Sequence, residues 1–213
     1  MKFFCAVATL LTCTGVWGKE ISITVLSHEN TPVANTVVYL TPKQPLSYDA
    51  PKSVAIMDQV DTQFSPHILA VQRDVKVVFP NSDSIKHHVY SFSSAKTFEL
   101  QLYKDLQAEP LLFAKPGIVE LGCNIHDWML GYIFVADTPY FAKTDITGRV
   151  ILDVPEGEYE ANVWHPRIQD ESSSTLVNIS IPSQGDVDIA LQMPMLSDVN
   201  KYEAVSGEFS DYE

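Results

Sequence analysis

Apolar residues along this chain recur with a period of two, or in short unbroken runs, and no long stretch carries a helical period. The alternation or run is clearest at 21–25, 37–40, 75–79, 98–102, 117–121 and 132–135, then again at 149–153, 159–163, 176–180 and 187–191. Turn chemistry falls between them: Asn30-Thr31-Pro32, Asn81-Ser82-Asp83, Lys115-Pro116-Gly117, Thr147-Gly148 and Pro155-Glu156-Gly157. The pattern predicts an all-β chain of short strands folded as sandwiches. There is no tandem repeat.

The chain has 213 residues, 46% hydrophobic and 19% charged, enough apolar content for a packed core and too much for wholesale disorder. Met1-Lys2, the apolar run 3–17 and Gly18 read as a secretory signal peptide of residues 1–18, with Val16 and Gly18 before the cut. The run is shorter than the ~20 residues that span a bilayer, and no other segment is a candidate span. Export past that point places the protein in the periplasm. The mature chain then holds 13 basic and 27 acidic residues, a formal charge of −14. That balance excludes a nucleic-acid partner and favours cationic ones. Export also leaves Cys123 as the sole cysteine, so it has no internal disulfide partner. Residues 197–213 carry five acids and one lysine, an expected disordered tail.

Cys123 begins Cys123-Asn124-Ile125-His126-Asp127-Trp128-Met129. A thiolate, an imidazole and a thioether thus sit between the strands at 117–121 and 131–135. Upstream, Lys86-His87-His88 opens another strand and offers a fourth donor. Two His, one Cys and a weak axial Met are the ligands of a blue-copper electron-transfer site. Zinc prefers a closed Cys/His set without methionine. A Cys-His hydrolase would need an orienting third residue and oxyanion donors, which the sequence does not show. His67, His165 and His28 receive no role, although His165 could lie near the ligand loop.

Those motifs resemble the cupredoxin family, in its plastocyanin and amicyanin type. The Cys-x2-His-x2-Met spacing is that of amicyanin. Residues 129–135 are similar to the run after the methionine in both types, Gly117 stands six residues before Cys123 as in plastocyanin, and Phe64-Ser65-Pro66 and Phe79-Pro80-Asn81 fall in register up to His87. The resemblance covers about residues 52–137 and implies a Greek-key sandwich holding one type 1 copper ion. It selects His87, Cys123, His126 and Met129 as ligands. The family has asparagine after the first ligand as a brace between ligand loops. His88 stands there, as brace or alternative ligand, with Asn81 and Asp127 as further neighbours of the site. Trp128 takes an aromatic position seen in amicyanin. With Leu130 and Ile85 it is expected to form an apolar docking patch at the edge of His126.

The flanks resemble a transthyretin-like or carboxypeptidase-regulatory-like β-sandwich, through the Thr31-Pro32-Val33 turn, Thr144-Asp145-Ile146-Thr147-Gly148 and Pro155-Glu156-Gly157-Glu158-Tyr159. Its two parts would be 20–46 and 139–195, with the cupredoxin inserted in or next to it; such a fold says little about function. The expectation is a non-enzymatic periplasmic electron carrier with a dehydrogenase or cytochrome as partner. The alternatives are copper capture or delivery through the same ligands, and a metal-free interaction module. Oligomeric state is not readable from the sequence.

Overall fold

The computed structural model describes residues 18–45, 48–104, 109–169, 176–181 and 185–197. The signal-peptide reading, apart from Gly18, and the acidic tail after Ser197 lie outside the described residues. Among the described residues seventeen strands run in chain order: β1 (Lys19–Leu26), β2 (Val37–Pro42), β3 (Val54–Ile56), β4 (Asp58–Val60), β5 (Gln63–Ser65), β6 (Ile68–Gln72), β7 (Val75–Val78), β8 (His87–Ser93) and β9 (Lys96–Tyr103). They continue with β10 (Leu111–Phe113), β11 (Gly117–Cys123), β12 (His126–Ala136), β13 (Phe141–Lys143), β14 (Arg149–Val154), β15 (Gly157–Trp164), β16 (Val177–Ile181) and β17 (Asp186–Ala190).

The strands sort into two units. In the outer unit one sheet has the order β14-β1-β17 and the other β13-β2-β15-β16. Alternation explains the packing: Ile21, Ile23 and Val25 of β1 are buried, while Ser22 and Thr24 between them are half-buried. They meet Leu40, Leu152, Tyr159 and Ile189 in one core. β2 and β13 are separated by about 100 residues yet are antiparallel neighbours, with Tyr39 opposite Phe141. Everything between them replaces what would otherwise be a hairpin loop.

That intervening stretch builds the inner unit. Its sheets have the orders β10-β7-β3 and β6-β12-β11-β8-β9, with β4 and β5 as a separate hairpin. A second core lies inside, with Phe64, Val77, Phe79, Phe113, Leu121 and Ile133. β12 is the long strand of this unit. Its first half borders the candidate site and its second half reaches the outer unit. There Val37, Ile68, Phe134 and Ala136 are buried together, with Tyr39, Tyr132 and Trp164 packed against them. The Trp164 ring lies 5.6 Å from that of Phe134 and 5.7 Å from that of Tyr132. Burying a side chain such as Ile68 or Phe134 contributes roughly 1.5–3 kcal/mol, so the seam holds the units in a defined relation.

Candidate metal centre

β8 and β11 are antiparallel neighbours, with Cys123 opposite Val89 and Gly122 opposite Tyr90. The amide of Asn124 donates to the carbonyl of His88 at 3.2 Å. This pairing brings the start of β8 beside the end of β11, although their residues are far apart in sequence. A bulge between Gly122 and Cys123 shifts the β11–β12 register, so Cys123 faces His126 across a two-residue turn. The ligand motif is therefore not one loop: Cys123 ends β11, His126 opens β12, and Met129 lies within β12.

The thiol and two imidazoles converge. Cys123 Sγ is 3.7 Å from His87 Nδ1 and 3.6 Å from His126 Nδ1. The three ligand atoms lie within 4.8 Å of one another, and the two rings are 4.9 Å apart. Cys123 is buried, His87 is fully buried and His126 is half-buried. Both histidines present the same nitrogen, Nδ1, to one sulfur. Met129 is buried in the same core cluster as Cys123, three residues beyond His126.

His87 is fixed from behind. Its Nε2 lies 3.1 Å from Asp83 Oδ2, and Asp83 also accepts from the amides of Thr62 at 2.8 Å and Ser84 at 2.7 Å. These bonds hold its carboxyl below the usual aspartate range; the Thr62 amide acts most, burial opposes, and His87 and Ser84 add to the lowering. Tyr103 stands opposite His87 on β9. Its hydroxyl donates to the Phe79 carbonyl at 2.7 Å and accepts from the Gln59 amide. Burial pushes its pKa up to about 12; the Gln59 bond opposes this, while the charges of Asp58 and Cys123 add to it.

His88 turns to the other face of β8, as alternation requires. Its Nε2 pairs with Glu99 Oε1 at 2.8 Å, and its buried Nδ1 has no hydrogen-bond partner. It is absent from the convergent group, and the Asn124 bond uses its backbone rather than its ring. Asn81 holds the loop before β8, donating to the carbonyls of Ile85 at 2.9 Å and Tyr103 at 3.0 Å. Asp127 is exposed.

No family model matches the chain, and no curated protein matches it. Among solved structures, a reduced copper(I) amicyanin variant at pH 4 is 19% identical over 46% of this chain and 99% of that one, with a TM-score of 0.36. An oxidised amicyanin variant is 18% identical over the same shares, also at 0.36. A copper-containing nitrite reductase from Thermus scotoductus SA-01 is 20% identical over 46% of this chain and 26% of that one, at 0.39. At these scores the likenesses add no weight to the site, whose case rests on its own donors.

Exposed residues on either side of His126 are apolar and polar, Ile125 and Trp128 beside Asn124 and Asp127. Trp128 lies 5.4 Å from it, ring to ring, and Ile85, Ile125 and Trp128 are all exposed. Ile125, in the turn between Cys123 and His126, is an exposed apolar residue that the sequence reading did not include, although turn residues usually reach the surface. The remaining residue of the expected patch is Leu130. It is half-buried, its carbonyl accepts from His67 Nδ1 at 3.1 Å, and it lines a cleft between the units together with His67 and His165. The same cleft receives His165. Asp83 was legible only as a turn residue. A carboxylate four positions before a ligand histidine was the available signal.

Proposed function

We propose that this protein is an exported type 1 copper protein that carries single electrons. The observation that carries the reading is one buried thiol with the Nδ1 atoms of His87 and His126 at 3.6–3.7 Å. Two imidazoles and a thiolate are the equatorial donors of a blue-copper site. Cys123, His87 and His126 would hold the ion, with Met129 as the weak axial donor. A bound copper ion supplies a Cu(II)/Cu(I) couple worth one electron. Structural zinc sites close with four Cys or His donors, and three such donors converge here among the described residues.

The chain's own contribution is to hold those donors still. Cys123 and His126 terminate paired strands, and Asp83 pins the His87 ring. Donors fixed in this way require little rearrangement when the charge at their centre changes. His126 is the half-buried ligand, and the exposed Ile125 and Trp128 near it support electron exit there. The acidic surface favours a redox partner with a basic face, a cytochrome or dehydrogenase, met through a weak, salt-sensitive encounter. The leader-like residues 1–18 support a periplasmic location. The outer unit, transthyretin-like in its motifs, would present the copper-bearing one; we read the protein as a carrier and not an enzyme.

The test is addition of Cu(II) to the mature chain. An intense thiolate-to-copper absorption with reversible one-electron cycling is expected, and Cys123→Ser removes the colour while the far-UV circular dichroism keeps its β signature. Colourless Cu(I) binding with rapid loss to a chelator would establish delivery instead. A chain that takes up no copper would be a metal-free module.

A further inference from the structure

A cleft of about 1130 Å3 opens between the two units, lined in part by Lys143, His67, His165, Arg167, His28 and Glu29. The described lining holds two cationic side chains, Lys143 and Arg167, against one carboxylate, Glu29. Lys143, the last residue of β13, reaches from the outer unit to the inner one and donates to the Ile68 carbonyl at 2.7 Å. Burial lowers its pKa. No carboxylate among the described residues pairs with it. One of three ammonium donors is therefore engaged, with a neutral oxygen. A half-desolvated cation without a counter-charge is costly unless something supplies one.

The neighbouring side chains are fixed by hydrogen bonds of their own. His67 precedes Ile68, which brings it to the Lys143 end of the cleft. Its Nδ1 donates to the Leu130 carbonyl, which leaves Nε2 of the neutral ring as an acceptor. His165 Nδ1 accepts from the Arg167 amide at 3.1 Å, which leaves the neutral ring's proton on Nε2. Arg167 is held at its own place by donating from Nε to the Leu196 carbonyl at 2.6 Å. Glu29, the one carboxylate on the described lining, is exposed and lies 3.8 Å from His28. A metal does not explain the cleft, because its three histidines do not converge as the His87 group does.

We propose that this cleft binds a small oxyanion, a carboxylate or a phosphate, with Lys143 as its charge partner. The proposal does not depend on copper. It requires both units, because Lys143 and His165 belong to one and His67 to the other.

The experiment is a titration of the full mature chain with inorganic phosphate and, separately, with succinate, at low ionic strength and matched chloride, followed by calorimetry and by amide chemical shifts. Saturable one-site binding of at least one anion is expected; which one binds identifies the headgroup class. Lys143→Met should weaken it by about tenfold or more, and Lys143→Arg should retain it within a few-fold. Thermal unfolding checks that each variant folds, and Lys143→Gln replaces Lys143→Met if the latter does not. Absence of saturable binding with both anions overturns the proposal. So does undiminished affinity in the variant that lacks the cation.

Discussion

The Asp83 carboxylate stands 3.1 Å from Nε2 of His87, the nitrogen opposite the one that faces Cys123. A negative charge behind an imidazole makes it a stronger donor and fixes its orientation. Stronger donation favours Cu(II) over Cu(I). Asp83→Asn is therefore expected to raise the reduction potential, by about 60 mV for each tenfold change in that preference. Voltammetry of the copper-loaded variant measures it, and an unchanged potential would show that the carboxylate only positions the ring.

His87 and His88 are adjacent but lie on opposite faces of β8. His87→Gly should abolish the blue colour. His88→Ala, which removes the pair with Glu99 and the ring contact with Tyr90, should keep it and lower stability by about 1–2 kcal/mol. Absorption with added Cu(II) separates the two, and a greater loss from the His88 change would refute the site as drawn.

Gly131 lies in β12 opposite Leu121, where a Cβ would come within 2.7 Å of Phe64 Cβ. Phe64 is buried and cannot yield without disturbing the inner core. Gly131→Ala is expected to cost about 1–3 kcal/mol by overpacking. Denaturant unfolding of the apo protein reads this directly; a cost near zero would mean that β5 gives way freely.

Asp145 caps its turn with three bonds, from the Thr147 hydroxyl at 2.6 Å, the Arg149 amide at 3.0 Å and the Thr147 amide at 2.8 Å. They lower its pKa, the Thr147 hydroxyl most. A lowered folded-state pKa contributes stability above the unfolded value of ~3.9, and that contribution disappears as pH falls through the folded value. Asp145→Asn should thus melt below the wild type at pH 7, and the gap should narrow as the solution is acidified past the ordinary aspartate range. A gap constant with pH would assign the effect to turn geometry rather than charge.

Much of this architecture was legible in the residues. Period-two alternation marks β1 and β14 because each has one buried face, and the Cys123–His126–Met129 spacing is local enough to read directly. The very short β3, β4, β5 and β13 leave no periodicity to detect, and β6 is held by its parallel pairing with β12. The bulge at Cys123 is a tertiary adjustment, so Met129 was expected in a loop although it lies on a strand. The Asp83–His87 pair depends on how the loop before β8 folds back. The cleft depends on bonds such as Lys143–Ile68 and His67–Leu130, which span 75 and 63 positions. No local pattern encodes contacts of that separation.

The antiparallel pairing of β2 with β13 has a kinetic consequence. Joining the ends of a flexible segment of about 100 residues carries an entropy cost that grows with the logarithm of its length. If the inner unit collapses first, that segment ceases to be flexible and its two ends arrive already close. The chain's assembly order is then set from the middle outward: the guest matures before its host can close.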